Sequence, residues 1–186
     1  MKLARYFKHL ELPNWEIVSE LILHWTLKNT DFISNKKYRG WVPIDTSSII
    51  LEVPSIVELF DTASFKITNV SYFIRHDHYP SPPHTHVGDS LARINIPILN
   101  CKGTFTKFYT GGEQKLVKNA QGMALNQLTN GASLTEVARC EIDKPTVLSV
   151  DTLHSVTVPI NMPVPRVMVS VKVEPDPVYL LMENYP

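Results

Sequence analysis

Apolar and polar residues alternate with a period of two along much of this chain, and that rhythm predicts strands. From Lys66 to Arg75, Val70, Tyr72 and Ile74 share one face. From Ala92 to Leu99, Ile94, Ile96 and Ile98 alternate with Arg93, Asn95 and Pro97. From Arg166 to Val173 the valines at 167, 169, 171 and 173 line one side, while Arg166, Met168 and Ser170 take the other. Further strands are expected at Thr104–Tyr109, Leu134–Ile142, Thr146–Val150 and His154–Val158. That gives roughly seven or eight strands, the number a jelly roll needs.

The N-terminal third has a different period. Leu12-Pro13-Asn14-Trp15 opens a helix with Asn14 as its cap, and Val18, Leu21, Ile22 and Trp25 recur at helical spacing as far as Leu27. The expectation is a helix laid on the outside of the sheet. It has no basic face for a membrane surface. Pro54 to Phe60 predicts a short second helix, with proline in its first turn. Arg39 to Pro43 reads as a turn into a short extended segment. Gly111-Gly112 marks a turn with positive φ. Between Glu113 and Ser133 no clean period appears, which in a jelly roll suits an insertion or lid near the mouth.

The length of 186 residues suits one domain. Its expected parts are a helical extension over 1–64 packed on the barrel, a jelly-roll core over 65–175, and a tail over 176–186. Fourteen prolines against seven glycines favour defined turns over flexible loops. Lysine plus arginine equal aspartate plus glutamate at 18 each, so no positive excess points to nucleic acid. Cys101 and Cys140 follow no zinc spacing and are read as free thiols. The start is charged, and no run of about 18 apolar residues occurs. The expectation is a soluble cytoplasmic protein with no membrane partner.

The candidate chemistry lies around Pro83-His84-Thr85-His86. Two histidines two residues apart on an extended segment point the same way, so His84 and His86 can share one metal. A third, His154, lies far downstream among strand-forming residues. Imidazole suits iron, zinc, copper and nickel alike, so ligand type alone does not choose the ion. His76 and His78, flanking Asp77, form a rival pair in a proline-rich approach, with a supporting or substrate-facing role as the alternative. Asp89, three residues past His86, could add an oxygen ligand if the chain turns there. Arg93 and Asn95 share the polar side of their strand, and Thr106 and Tyr109 are further candidate contacts.

His84-Thr85-His86, then Arg-Ile-Asn-Ile-Pro-Ile-Leu-Asn-Cys and Thr-Phe-Thr-Lys-Phe-Tyr, then Asp-Thr-Leu-His-Ser-Val and Pro-Arg-Val-Met-Val-Ser-Val-Lys-Val, resemble in order and spacing the cupin-like proteins related to Fe(II)/2-oxoglutarate-dependent oxygenases. The resemblance covers about Phe65 to Val173. It implies a mainly β double-stranded β-helix, a cupin-like jelly roll with N-terminal helices. It also implies Fe(II), or another divalent ion, on His84, His86 and His154, with 2-oxoglutarate as co-substrate. Arg166 would pair with the distal carboxylate of the keto acid, because its planar fork matches that group. Ser170, on the same face, would add a hydroxyl, and Asn95 and Tyr109 would complete the cofactor contacts. The activity implied is hydroxylation of a small molecule or peptide. His86 stands where those oxygenases carry an aspartate, and Met168 where their motif carries serine. Two alternatives therefore stay open: a three-histidine cupin enzyme that does not use 2-oxoglutarate, and a non-catalytic binding or structural module with a degenerate metal site. Jelly-roll edges often pair, so a homodimer is a further expectation.

Overall fold

The structure is a computed structural model that describes residues 5–88, 90–118, 124–128 and 133–182. Its strands are β1 (Phe7–His9), β2 (Gly40–Pro43), β3 (Lys66–Arg75), β4 (His84–His86), β5 (Ala92–Leu99), β6 (Phe105–Thr110), β7 (Gln114–Lys118), β8 (Ala124–Leu128), β9 (Thr135–Glu141), β10 (Thr146–Ser149), β11 (His154–Thr157) and β12 (Arg166–Glu174). Three helices, α1 (Trp15–Asn29), α2 (Thr46–Glu52) and α3 (Ser55–Asp61), precede β3. A short 3-10 turn over Pro177–Leu181 follows β12.

Two antiparallel sheets form, ordered β1-β10-β5-β12-β3-β2 and β7-β8-β4-β11-β6-β9. Without the outer additions β1, β2, β7 and β8, four strands remain in each. The chain crosses between the sheets at nearly every step, through β3, β4, β5 and β6 and then β9, β10, β11 and β12. That interleaving is the jelly roll expected from the alternation pattern. The segment without a legible period, 113–133, contributes the β7–β8 hairpin, which extends the second sheet from β4.

The first sheet is two-sided, and its apolar side faces away from the barrel. Val70, Tyr72, Ile74, Ile94, Ile96, Val147 and the four β12 valines pack with Val18, Ile22, Ile49, Ile56 and Phe60 of the helices. The main core is therefore a helix-on-sheet layer, as expected for a helix on the outside of the sheet. A smaller cluster inside the barrel joins Cys101, Phe108, Cys140, Ile142, Leu148 and Met168. The polar side of the same strands faces this interior and is also buried, with Arg93, Asn95, Ser71, Ser170 and Arg166 all below one-tenth exposed. Burying so many polar groups is costly unless partners satisfy them. Arg93 Nη2 donates to Asn69 Oδ1, Ser71 Oγ and the Ser170 carbonyl.

Two local expectations are corrected, and one helix is added. Asn14 precedes α1 with φ 58° and makes no side-chain capping bond, so the helix starts from a left-handed turn instead of an Asn cap. On α1, Val18 and Ile22 are buried, but Leu21 and Leu27 are exposed because Ser19 and Thr26 share the inward stripe. Ser19 Oγ donates to the Pro97 carbonyl at 2.6 Å, pinning the helix to β5. Finally, α2 carries no strong helical period in its sequence. It is started by Asp45, whose carboxylate accepts from Ser47 N at 3.1 Å. Pro97 sits in a central strand because the β5–β12 register shifts beside it, between Val167 and Met168. No helix among the described residues is long and apolar enough to cross a membrane.

Candidate metal centre

β4 is short, but the strand geometry does what the His-x-His spacing requires. His84 and His86 project to one side, and their rings stack with centroids 5.5 Å apart. β11 runs antiparallel to β4 with His154 directly opposite His84. The His154 ring lies 4.7 Å from that of His84 and 5.4 Å from that of His86. One ring nitrogen from each of the three falls within 4.8 Å of the others.

The approach to this cluster is held from both sides. Ser81 N donates to the Val156 carbonyl at 2.9 Å, and Val156 N donates back to Ser81 Oγ at 2.7 Å, fastening the proline-rich segment to β11. His86 N donates to the Val150 carbonyl. On the other strand, Ser149 Oγ bonds Asp151 and Thr152 in the turn that leads to His154.

Two of the three tautomers follow from hydrogen bonding. His84 Nδ1 lies 2.8 Å from the Pro82 carbonyl, and His154 Nδ1 lies 2.7 Å from the Thr152 carbonyl. A carbonyl can only accept, so each Nδ1 carries the proton and each Nε2 keeps a free lone pair. This is the outer arrangement that orients histidines as metal ligands. Burial pushes the His84 imidazole down to about 4, with the neighbouring His86 adding to the effect and the Pro82 carbonyl opposing it. His154 is driven well below the ordinary histidine value by burial and by the other two rings. Both rings are therefore neutral at physiological pH, the form a metal needs. These donors fit a divalent ion that prefers nitrogen.

The cluster opens into a cavity of about 240 Å³ between the two sheets. That is room for about eight waters at ~30 Å³ each, or for one small metabolite. Phe73, Leu148, Val150, Val156 and Met168 supply apolar wall, while Asn95, Thr106, Gln127 and Ser170 supply polar groups. The Thr106 hydroxyl is buried without a hydrogen-bond partner, as expected of a group awaiting a ligand or water.

No family model matches the chain, and no curated protein matches it. Two solved structures of L-ribose isomerase from Cellulomonas parahominis are similar to parts of it. The one with L-psicose is 20% identical, covering 55% of this chain and 48% of that one at a TM-score of 0.32. The one with no ligand is 21% identical, covering 63% and 55% at a TM-score of 0.33. The chain thus spans about half the length of those structures. The architecture described above rests on strand order alone.

The residues singled out in the sequence fall into three groups. His84, His86, His154, Asn95, Thr106 and Ser170 meet at the cavity. Arg166, Tyr109, Arg93, His76 and His78 do not line it. Arg166 is fully buried, with Nε donating to Thr104 Oγ1 at 2.7 Å and Nη2 to Met168 Sδ at 3.0 Å, so Met168 separates it from the cavity. Tyr109 is turned away, its hydroxyl 3.1 Å from Ser155 Oγ. His78 Nδ1 bonds the Pro159 carbonyl. Asp89 lies outside the described residues.

Sequence reasoning missed Trp41, Arg75, Leu125 and Gln127, which all line the cavity. Arg75 was legible in principle, since it falls on the face of β3 opposite Val70, Tyr72 and Ile74. Leu125 and Gln127 come from the hairpin, in register with His86 and His84, and no periodicity marked them.

Proposed function

We propose that this chain is a mononuclear metalloenzyme in which His84, His86 and His154 hold a divalent ion and the barrel cavity takes a small-molecule substrate, without recruiting 2-oxoglutarate. The observation that carries the metal assignment is the matched Nδ1-to-carbonyl anchoring of His84 and His154, which leaves both Nε2 atoms as neutral donors. A divalent ion bound there would supply Lewis acidity. The chain's own residues hold the ligands rigid, exclude bulk water with the apolar walls, and offer Asn95, Thr106, Gln127 and Ser170 to orient the substrate. Dispensing with the keto acid is supported by the position of Arg166, which Met168 screens from the cavity.

The test is metal content after anaerobic loading with Fe(II), Co(II) or Zn(II), comparing wild type with His154→Ala. One ion per chain, lost in the variant, is expected. If neither protein holds metal above background, the histidines are structural and the non-catalytic module is the better reading.

A second reading, the Fe(II)/2-oxoglutarate dioxygenase, is favoured by one observation. Arg166 Nη1 is buried with no partner among the described residues, as an arginine awaiting a carboxylate would be. Met168 would have to swing aside to admit it. Succinate formed from 2-oxoglutarate by the iron-loaded protein, and lost in Arg166→Ala, would establish this reading over the first.

A further inference from the structure

The cavity that holds the three histidines has no carboxylate in its lining among the described residues, yet two arginines, Arg39 and Arg75, reach it. Arg75 is held in place at the cavity. It ends β3, and its Nη2 donates to Asp77 Oδ1 and to the Tyr79 carbonyl, so the guanidinium is clamped where the strand stops. Its Nε and Nη1 donors find no acceptor among the described residues.

The surrounding charge is also out of balance. Arg166 stands opposite Arg75 in the β3–β12 register, and two neighbouring strand residues in register point to the same side. The guanidiniums of Arg75, Arg93 and Arg166 thus share the barrel interior, with Asp77 in an ion pair with Arg75. A divalent ion on three neutral imidazoles would add two more positive charges. A partly buried surplus of this size calls for an anion, because uncompensated charge away from water is expensive.

Next to Arg75 the wall is aromatic and apolar. Trp41 is paired with Phe73 across β2 and β3, and its Nε1 donates to Ser71 Oγ at 2.7 Å, which fixes the indole. Both rings line the cavity.

We propose that Arg75 anchors the carboxylate of the substrate, and that the site takes a small monocarboxylate with an apolar body lying along Trp41 and Phe73. Nη2 belongs to both forks of the guanidinium and is taken by Asp77 and Tyr79, so Arg75 offers an anion single N–H donors from Nε and Nη1, which suits a carboxylate oxygen better than a phosphate, which asks for more donors. The proposal rests on the three-histidine metal reading for what happens at the far end of the substrate. It assigns the anion to Arg75 and leaves Arg166 as a buried source of positive potential.

The test is calorimetric titration of the zinc-loaded full chain with benzoate and with its neutral, shape-matched counterpart benzamide. Benzoate is expected to bind more tightly than benzamide. Arg75→Gln should weaken benzoate at least tenfold, Arg75→Lys should restore most of the loss, and benzamide should be indifferent to both. Equal binding of benzoate by wild type and Arg75→Gln, or no benzoate binding at millimolar concentration, overturns the proposal. So does inorganic phosphate binding as tightly as benzoate. If Arg75→Gln fails to fold, the Arg75 Nε resonance of the unaltered protein is followed by NMR on adding benzoate. A shift supports the anchor and an unmoved resonance overturns it. Zinc content and a parallel titration of zinc-free protein keep the two readings apart: loss of zinc binding defeats the metal assignment, whereas Arg75 dependence decides the anchor in either form.

Discussion

His84 and His154 face each other across the β4–β11 pairing, and each gives its Nδ1 proton to the carbonyl two residues upstream, Pro82 in one case and Thr152 in the other. Two distant segments have reached the same local solution, which fixes ring orientation and tautomer together. A core histidine kept only for packing has no need of a second histidine doing the same opposite it.

The first prediction concerns ligand loss. His84→Ala or His154→Ala should weaken divalent-metal binding by 100-fold or more, since each removes one of three donors and leaves His86 with a single carbonyl-anchored ring. In wild type, saturating metal at about 100 times its dissociation constant should stabilise the fold by about 2.7 kcal/mol. For a chain of this size that raises Tm by roughly 5–10 °C. Differential scanning fluorimetry with and without a chelator reads both effects. A metal-induced shift of equal size in the variants would place the ion elsewhere.

Acidification supplies the second. The His84 value in the folded protein is about 4, against an ordinary 6.5 in the unfolded chain. Between those values the unfolded state binds more protons at His84, so the stability His84 contributes is lost as pH drops from about 6.5 to about 4. His84 alone contributes a loss on the order of 3 kcal/mol, and His154 acts in the same direction. Urea unfolding of metal-free protein across this range should show the decline, and His84→Asn should make it shallower. A wild-type curve without slope between pH 6.5 and 4 would mean that the two rings are not held neutral by burial.

Much of this fold can be read from the sequence because alternation survives wherever one face of a strand is buried in apolar material. β3 and β5 match their expected limits, since the helix-packed valines and isoleucines specify the register. The same physics explains what was hidden. The inward face of the first sheet is polar and buried, so a residue such as Arg75 carries no apolar mark of its place at the cavity, whereas Asn95 was singled out on the polar side of its strand and does line it. The β7 strand is largely exposed and its hairpin carries little apolar pattern, which left Gln127 and Leu125 of β8 unmarked. The meeting of His84 and His86 was legible from their parity on one strand, and His154 joins them across the β4–β11 pairing. Arg166 was singled out as a partner for a keto-acid carboxylate, but the screening role of Met168 depends on a side-chain contact that no spacing records.

A third prediction tests where the core lies. Phe60 is fully buried between the helices and the outer face of the first sheet. Phe60→Ala should cost about 3–5 kcal/mol while leaving metal affinity of the folded protein within about twofold of wild type, because the sheet separates it from the cavity. Denaturant unfolding gives the first quantity and metal titration below the unfolding range gives the second. A large loss of metal affinity in folded protein would mean that the two sides of the sheet are not independent.

The last prediction turns on Arg166. A buried guanidinium is costly to desolvate, and this one has a threonine hydroxyl, a thioether and one unpartnered nitrogen around it in place of a carboxylate. Replacing a buried charge by an apolar side chain of similar length is often neutral or stabilising by about 1–4 kcal/mol. Here nothing of opposite charge is left unpaired by the change, and Thr104 Oγ1 keeps its 2.6 Å bond to the Cys101 carbonyl. Arg166→Met should therefore fold, unfold at equal or higher urea concentration than wild type, and retain metal binding. Marked destabilisation would show that the guanidinium is satisfied in solution by an anion held in the barrel, and the same measurement repeated with 2-oxoglutarate present would show whether the keto acid is that anion.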